Sequence, residues 1–210
     1  MASNSKNANE EEEEDEIKVI LVGESGTGKT SLINSVQGGS VEGNQMSTIT
    51  CSFITMQKTI DGEEYNINLW DTIGQEQFRS LTKIFLNNSK IVIFVFDITD
   101  KASFEALDYW INTIEQELGQ EPIKGIAANK QDLFDDQEVD EDLIKAYSNK
   151  KGITYSYTTA TNKETFYTFL EILLKKYIEK VGIKNIKKTK KKGKKFEIKG
   201  KRKKEKKKCC

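Results

Sequence analysis

The chain predicts an α/β fold: a mainly parallel sheet of about six strands, one antiparallel hairpin strand among them, with helices on both faces. Three observations carry this expectation. Short apolar runs of strand character recur between stretches in which apolar residues return every three or four positions. The first run, IKVILV at 17–22, opens into GESGTGKTS at 23–31, a stretch of glycine and hydroxyl residues poor in core-forming side chains. One pair of runs, ITMQKTI and YNINLW, is bridged by Asp61-Gly62, a dipeptide that suits a hairpin turn because both residues tolerate positive φ.

In chain order, IKVILV reads as the first strand and SLINSV, after the glycine-rich stretch, as a helix start. ITMQKTI and YNINLW form the hairpin. IVIFVF and IKGIAA read as strands and TYSYTT as a weaker one. Helical spacing is found in Phe104, Leu107, Ile111, Ile114 and Leu118, and again in Phe166, Phe169, Leu170, Leu173, Leu174 and Tyr177. These stripes read as core. Ligands of such a sheet gather at the carboxyl ends of its strands.

Composition allows one core of moderate size, with 36% hydrophobic and 31% charged residues. The formal net charge of zero hides an asymmetry. Residues 1–16 hold seven acids and one lysine, net −6; residues 184–210 hold sixteen Lys/Arg and two acids, net +14; residues 17–183 make up the difference at −8. The expected organisation is an acidic disordered arm over 1–16, a folded domain over 17–183 and a disordered polybasic tail over 184–210 ending in Cys-Cys. No stretch reaches the roughly 18 apolar residues of a membrane span, and the acidic start predicts no secretory signal. Cys51 and the terminal pair suggest no disulfide framework.

Gly23, Gly28, Lys29 and Thr30 fit the spacing G-x-x-x-x-G-K-[ST] of a phosphate loop. In that arrangement main-chain N–H groups wrap the phosphates, the lysine neutralises β/γ oxygens and the hydroxyl holds Mg²⁺. The alternative is a plain strand-to-helix turn, but the preceding strand and following helix supply the setting in which a helix N-terminus meets an anion. Asp71-Thr72-Ile73-Gly74 follows YNINLW and places an aspartate at a strand end, within reach of a Mg²⁺ shell through water; alone, it also reads as a turn cap. Asn129-Lys130-Gln131-Asp132 follows IKGIAA. A carboxylate there accepts from both the ring N1–H and the exocyclic amine of guanine, whereas adenine leaves it unpaired, a difference of roughly 10⁴-fold in sites of this kind.

With GESGTGKTS, STITCSF, LWDTIGQEQF, FVFDITD, ANKQD, TTAT and the terminal CC in one order, the chain resembles a small GTPase of the Ras superfamily, most closely the Rab family, over roughly residues 16–180. The resemblance implies the P-loop GTPase fold, GTP/GDP and Mg²⁺ as ligands, and slow intrinsic hydrolysis speeded by an activating protein. It assigns Lys29 to the β/γ-phosphates and Glu24, Ser25, Gly26, Thr27, Gly28, Lys29, Thr30 and Ser31 to the phosphate cradle. It gives Mg²⁺ to Thr30, Thr48 and, through water, Asp71. Gly74 becomes the γ-phosphate sensor and Gln75 the residue that orients the attacking water, with Lys29 and Thr48 as its catalytic companions. Asn129, Lys130, Asp132, Thr159 and Ala160 hold the base. Phe53, Trp70 and Phe85 match an effector-facing aromatic trio.

Three positions depart from the family pattern. Thr161 stands where a lysine is usual, Val41 where an aromatic ring covers the base, and Ile73 where switch II has alanine. They motivate a second expectation, a nucleotide-locked or weakly binding membrane-attached scaffold with little cycling. The lysine-rich tail has one aromatic, Phe196, which argues against nucleic acid. Cys209 and Cys210 resemble prenylation sites, and a lipid chain beside a polybasic patch is the two-signal arrangement that anchors stably. The implied partners are guanine nucleotide, a membrane, an exchange factor, an activating protein, a GDP-dissociation inhibitor and effectors. The implied setting is a monomeric domain on the cytoplasmic face of intracellular membranes with a cytosolic pool, in vesicular traffic.

Overall fold

Strand β1 (Glu16–Val22) is apolar at every position after Lys18 and is buried on both faces, as a central parallel strand must be. The structure, a computed structural model, describes residues 16–37, 52–72, 86–119 and 121–182. Around β1 stand β2 (Ser52–Ile60), β3 (Glu63–Asp71), β4 (Ile91–Asp97), β5 (Ile123–Asn129) and β6 (Thr154–Tyr157), in the sheet order β2-β3-β1-β4-β5-β6. β2 and β3 pair antiparallel and every other neighbouring pair is parallel. The turn between β2 and β3 has φ of 51° at Asp61 and 82° at Gly62, the paired positive values that two-residue hairpins require.

The helices are α1 (Lys29–Val36), α2 (Lys101–Glu105), α3 (Leu107–Leu118), α4 (Glu141–Lys151) and α5 (Lys163–Val181), with a 3₁₀ stretch at Gln131–Asp136. Alternate residues of β1 and β4 feed two cores. Val19, Leu21, Ile91, Ile93 and Val95 pack with α1 and the Phe166, Phe169, Leu170, Leu173 and Leu174 stripe of α5. Ile20, Val22, Val92, Phe94 and Phe96 pack with Phe104, Leu107, Trp110, Ile111 and Ile114 on the other face. The expected six-stranded sheet with helices on both faces is therefore present.

Local differences have local causes. The stripe from Phe104 to Leu118 is two helices meeting at Ala106, where ψ of −12° flattens the turn. Helix α4 was not anticipated, because its buried residues are Ile144 and Ser148, too sparse and too polar to register as an apolar face. β6 stops at Tyr157, and Thr158 and Thr159 turn into the loop ahead of α5. β1 begins at Glu16, one residue ahead of the expected domain start, with Asn68 donating to the Glu16 carboxylate. Among the described residues no helix is long and apolar enough to cross a membrane.

Candidate nucleotide site

The strand order reverses around β1, with β3 on one side and β4 on the other, and ligands of open α/β sheets sit at such a point. The chain leaves β1 through Gly23 (φ 150°), Gly26 (φ 80°) and Gly28 (φ 91°) before entering α1. Two of these glycines are required by close approach. A Cβ on Gly23 would lie 2.1 Å from the Val95 carbonyl oxygen, and one on Gly28 would lie 2.4 Å from Nδ2 of Asn129. No side chain caps α1 and its first turn contains no acid of its own.

Lys29 turns back into this loop. Its Nζ donates to the carbonyl oxygens of Gly23 (2.9 Å) and Glu24 (2.7 Å), and the residue is buried. Burial pushes its pKa down from 10.5 to about 8, against the smaller opposing pull of Asp71 and Glu24. A desolvated ammonium beside an uncapped helix start suits a phosphate group. Thr30 Oγ1 donates to Asp71 Oδ2 at 2.6 Å, and Thr72 Oγ1 ties the end of β3 to the Leu21 carbonyl at 2.5 Å. Among the described residues no group of three His, Cys, Asp or Glu could cage a metal. One hydroxyl with one nearby carboxylate suits Mg²⁺, which takes few protein ligands and completes its shell with water and substrate phosphates.

The Asn129–Asp132 segment, which the sequence matches to base recognition, begins at the end of β5. Asn129 is fully buried; its Nδ2 donates to the Thr27 carbonyl at 2.7 Å and its Oδ1 accepts from Thr158 Oγ1 at 3.1 Å. One amide thus links the glycine loop after β1, β5 and the segment after β6. Lys130 adopts φ of 64°, and its ammonium meets Asp97 Oδ2 at 2.5 Å, across the register pair Asp97–Asn129. Thr159 Oγ1 donates to Asp132 Oδ1. Ala160 follows Thr159 in the same turn.

Away from this pocket, Phe53 and Trp70 are register partners on β2 and β3 and stack with centroids 4.7 Å apart, Lys18 Nζ standing 4.4 Å from the indole centroid. Phe53 is 52% exposed. Thr48, Gly74, Gln75, Phe85, Cys209 and Cys210 lie outside the described residues, as do Val41, Ile73 and both charged arms apart from Glu16.

Sequence reasoning gave no role to Asp97, Thr158 or Trp110. Asp97 is the polar end of an otherwise apolar strand, a signal that was present in IVIFVFD. Trp110 is buried beside the Phe104–Leu118 stripe, and its Nε1 also donates to Glu24 Oε1 at 3.0 Å and so fastens the glycine loop to α3.

Residues 18–179 match the Ras family. The chain is 35% identical over 163 residues to Ras-related protein Rab-21 of Bos taurus, covering 77% of this chain and 73% of the relative. It is 33% identical over 147 residues to Ras-related protein Rab-30 of Homo sapiens, covering 70% and 72%. A sheet of this order with a glycine loop after its central strand is a P-loop GTPase fold. The chain belongs to the Ras superfamily of small GTPases and, within it, to the Rab family. It is a GTPase, of a family that binds GTP or GDP with Mg²⁺.

Proposed function

We propose that this chain is a GTP-dependent switch of vesicular membrane traffic, carried to the cytoplasmic face of membranes by a prenylated Cys209-Cys210 tail. The observation that carries the nucleotide part is the Asn129 bridge, which holds the segment matched to base recognition against the loop matched to phosphate binding. In this reading Lys29 and the loop from Glu24 to Ser31 bind the phosphates, and Thr30, with Thr48 and water held by Asp71, holds Mg²⁺. Bound Mg²⁺ neutralises phosphate charge. Asp132 accepts the guanine N–H groups, while Lys130, held on Asp97, and Ala160 frame the ring. Gln75 aligns the attacking water and Gly74 senses the γ-phosphate. Effectors meet the surface that carries Phe53 and Trp70, with Phe85.

Single-turnover GTP hydrolysis, with and without a broad-specificity Rab activating protein, tests the switch. Slow hydrolysis accelerated roughly 10³- to 10⁵-fold is expected if an arginine is supplied in trans. Gln75→Leu should abolish that acceleration while leaving GTP affinity within a few-fold. No acceleration in the parent chain would favour the locked scaffold. For the membrane part, a chain with Cys209 and Cys210 changed to serine should become cytosolic in cells; its retention on membranes after a salt wash would overturn prenyl anchoring.

A further inference from the structure

We propose that Thr161, through Thr159, sets the plane of the Asp132 carboxylate and is a positioning residue for recognition of the purine 2-amino group. This rests on the base-site reading above and goes beyond it, since a lysine is expected at this position and a threonine performs a different task.

The argument starts from proton counting. A threonine hydroxyl has one proton to give and two lone pairs to receive with, whereas a carboxylate only accepts. The Thr159 hydroxyl gives its proton to Asp132 Oδ1. It accepts from the Thr161 main-chain N–H at 3.1 Å and lies 2.8 Å from the Thr161 hydroxyl. Since the Thr159 proton is already committed, the Thr161 hydroxyl must be the donor in that contact. The direction of the relay is fixed: Thr161 to Thr159 to Asp132. Each bond polarises the next, so the Thr159 hydroxyl is a stronger donor than it would be alone.

The relay is anchored. Thr159 is buried, and its main-chain N–H donates to Thr165 Oγ1 at 3.0 Å in the first turn of α5, whose start is capped by Asn162. Asp132 is exposed at the start of the 3₁₀ stretch. The last torsion of an aspartate is broad, so a carboxylate at the surface has no intrinsic plane. A donor fixed to α5 supplies one. Guanine offers two parallel N–H groups, and both are met only when the two carboxylate oxygens lie in the plane of the ring. Hypoxanthine offers the ring N–H alone and tolerates a rotated carboxylate better. The relay therefore acts on discrimination between these two bases more than on binding of either.

The test is equilibrium displacement of a fluorescent GDP analogue by GDP and by inosine diphosphate, at fixed Mg²⁺, on the full-length chain. Thr161→Val keeps the main-chain N–H bond to Thr159 and the side-chain shape but removes the hydroxyl. It should weaken GDP by about 2- to 13-fold, the range of one hydrogen bond, and weaken inosine diphosphate less, so that the preference between them narrows. Thr161→Ser, which keeps the donor, should restore the parent preference. An unchanged preference in Thr161→Val, an equal loss for both nucleotides, or failure of serine to restore it would overturn the proposal. A parent chain that binds nucleotide without preferring GDP over inosine diphosphate would defeat the base-site reading itself, and the positioning role with it.

Discussion

At the end of the site proposed to bind phosphate the working parts are mostly main chain, three glycines of positive φ and a helix start without a side-chain cap, with one side chain, Lys29, lodged on two carbonyls. At the end proposed to read the base they are side chains: Thr158 on Asn129, and Thr161 on Thr159 on Asp132, two sets whose Thr158–Asn129 and Thr159–Asp132 bonds each cross about thirty positions of sequence. The two ends fail differently when altered. Main chain can be disturbed only through backbone conformation and close contacts, so its requirement is for glycine at fixed spacing. Side-chain recognition depends on which atom donates and which accepts, so a change of one atom can redirect it.

The widest separation between the ends should come from Asp132→Asn. The carboxamide donates where the carboxylate accepted, and the preference for GDP over xanthosine diphosphate should shift by roughly 10⁴-fold, with phosphate recognition untouched. Competition between the two nucleotides measures this, and an unchanged ratio would dissolve the distinction drawn here. Lys29→Met should act at the other end, lowering affinity for GDP and inosine diphosphate by the same factor, about 30-fold or more, as expected when a desolvated charge loses its partner.

The same lysine gives the phosphate end a pH signature. Burial holds Lys29 near 8 in the folded chain against 10.5 in the unfolded one. Between those values the unfolded chain keeps a proton that the folded chain has released, so the stability of the nucleotide-free chain should rise from about pH 8 to 10.5, by an amount on the order of 3 kcal/mol. GDP affinity should fall as the ammonium is lost. Denaturant melts and GDP titrations across that window should therefore slope in opposite directions, and both slopes should flatten in Lys29→Met.

Asn129→Ala removes the part the two ends share. It strips the Thr27 carbonyl and the Thr158 hydroxyl of a buried partner, and should cost about 2–4 kcal/mol in urea unfolding. The loss in GDP affinity should exceed the loss in affinity for inorganic diphosphate, because phosphate binding survives a loosened base segment. Trp110→Phe should have the smallest effect. It removes the indole N–H that donates to the Glu24 carboxylate while keeping most of the ring in the core, and a two- to thirteen-fold faster GDP release, followed by stopped-flow fluorescence, is expected.

How far the molecule could be read in advance follows the same division. The sheet was legible because IKVILV, YNINLW, IVIFVF and IKGIAA each combine strand length with burial, and the hairpin because Asp61-Gly62 has one economical conformation. α4 was not legible, since Ile144 is the one large apolar side chain it buries and neighbouring elements, more than its own pattern, hold it in place. In the candidate site, spacing exposed Lys29, Thr30, Asn129 and Asp132. The Thr161 relay, the Lys130–Asp97 pair and the Trp110–Glu24 contact have no such spacing. They arise only when strand ends and helix starts far apart in sequence are brought to one edge of a sheet.

The close approach of Gly28 to Asn129 has a consequence for the genetics of this protein. Any Cβ at position 28 collides with the amide that supports the base segment. A chain carrying Gly28→Ala should therefore behave as if mutated at both positions, and its suppressors should be found at residue 129, a hundred positions away, before they are found beside it. A smaller polar residue there, as in Asn129→Ser, relieves the collision. Suppression stays partial, because the shorter serine cannot keep both the Thr27 and the Thr158 bonds of Asn129, and because φ of 91° at position 28 remains costly for any residue with a side chain. An allele pair of this kind would reveal the contact between the two ends from heredity alone.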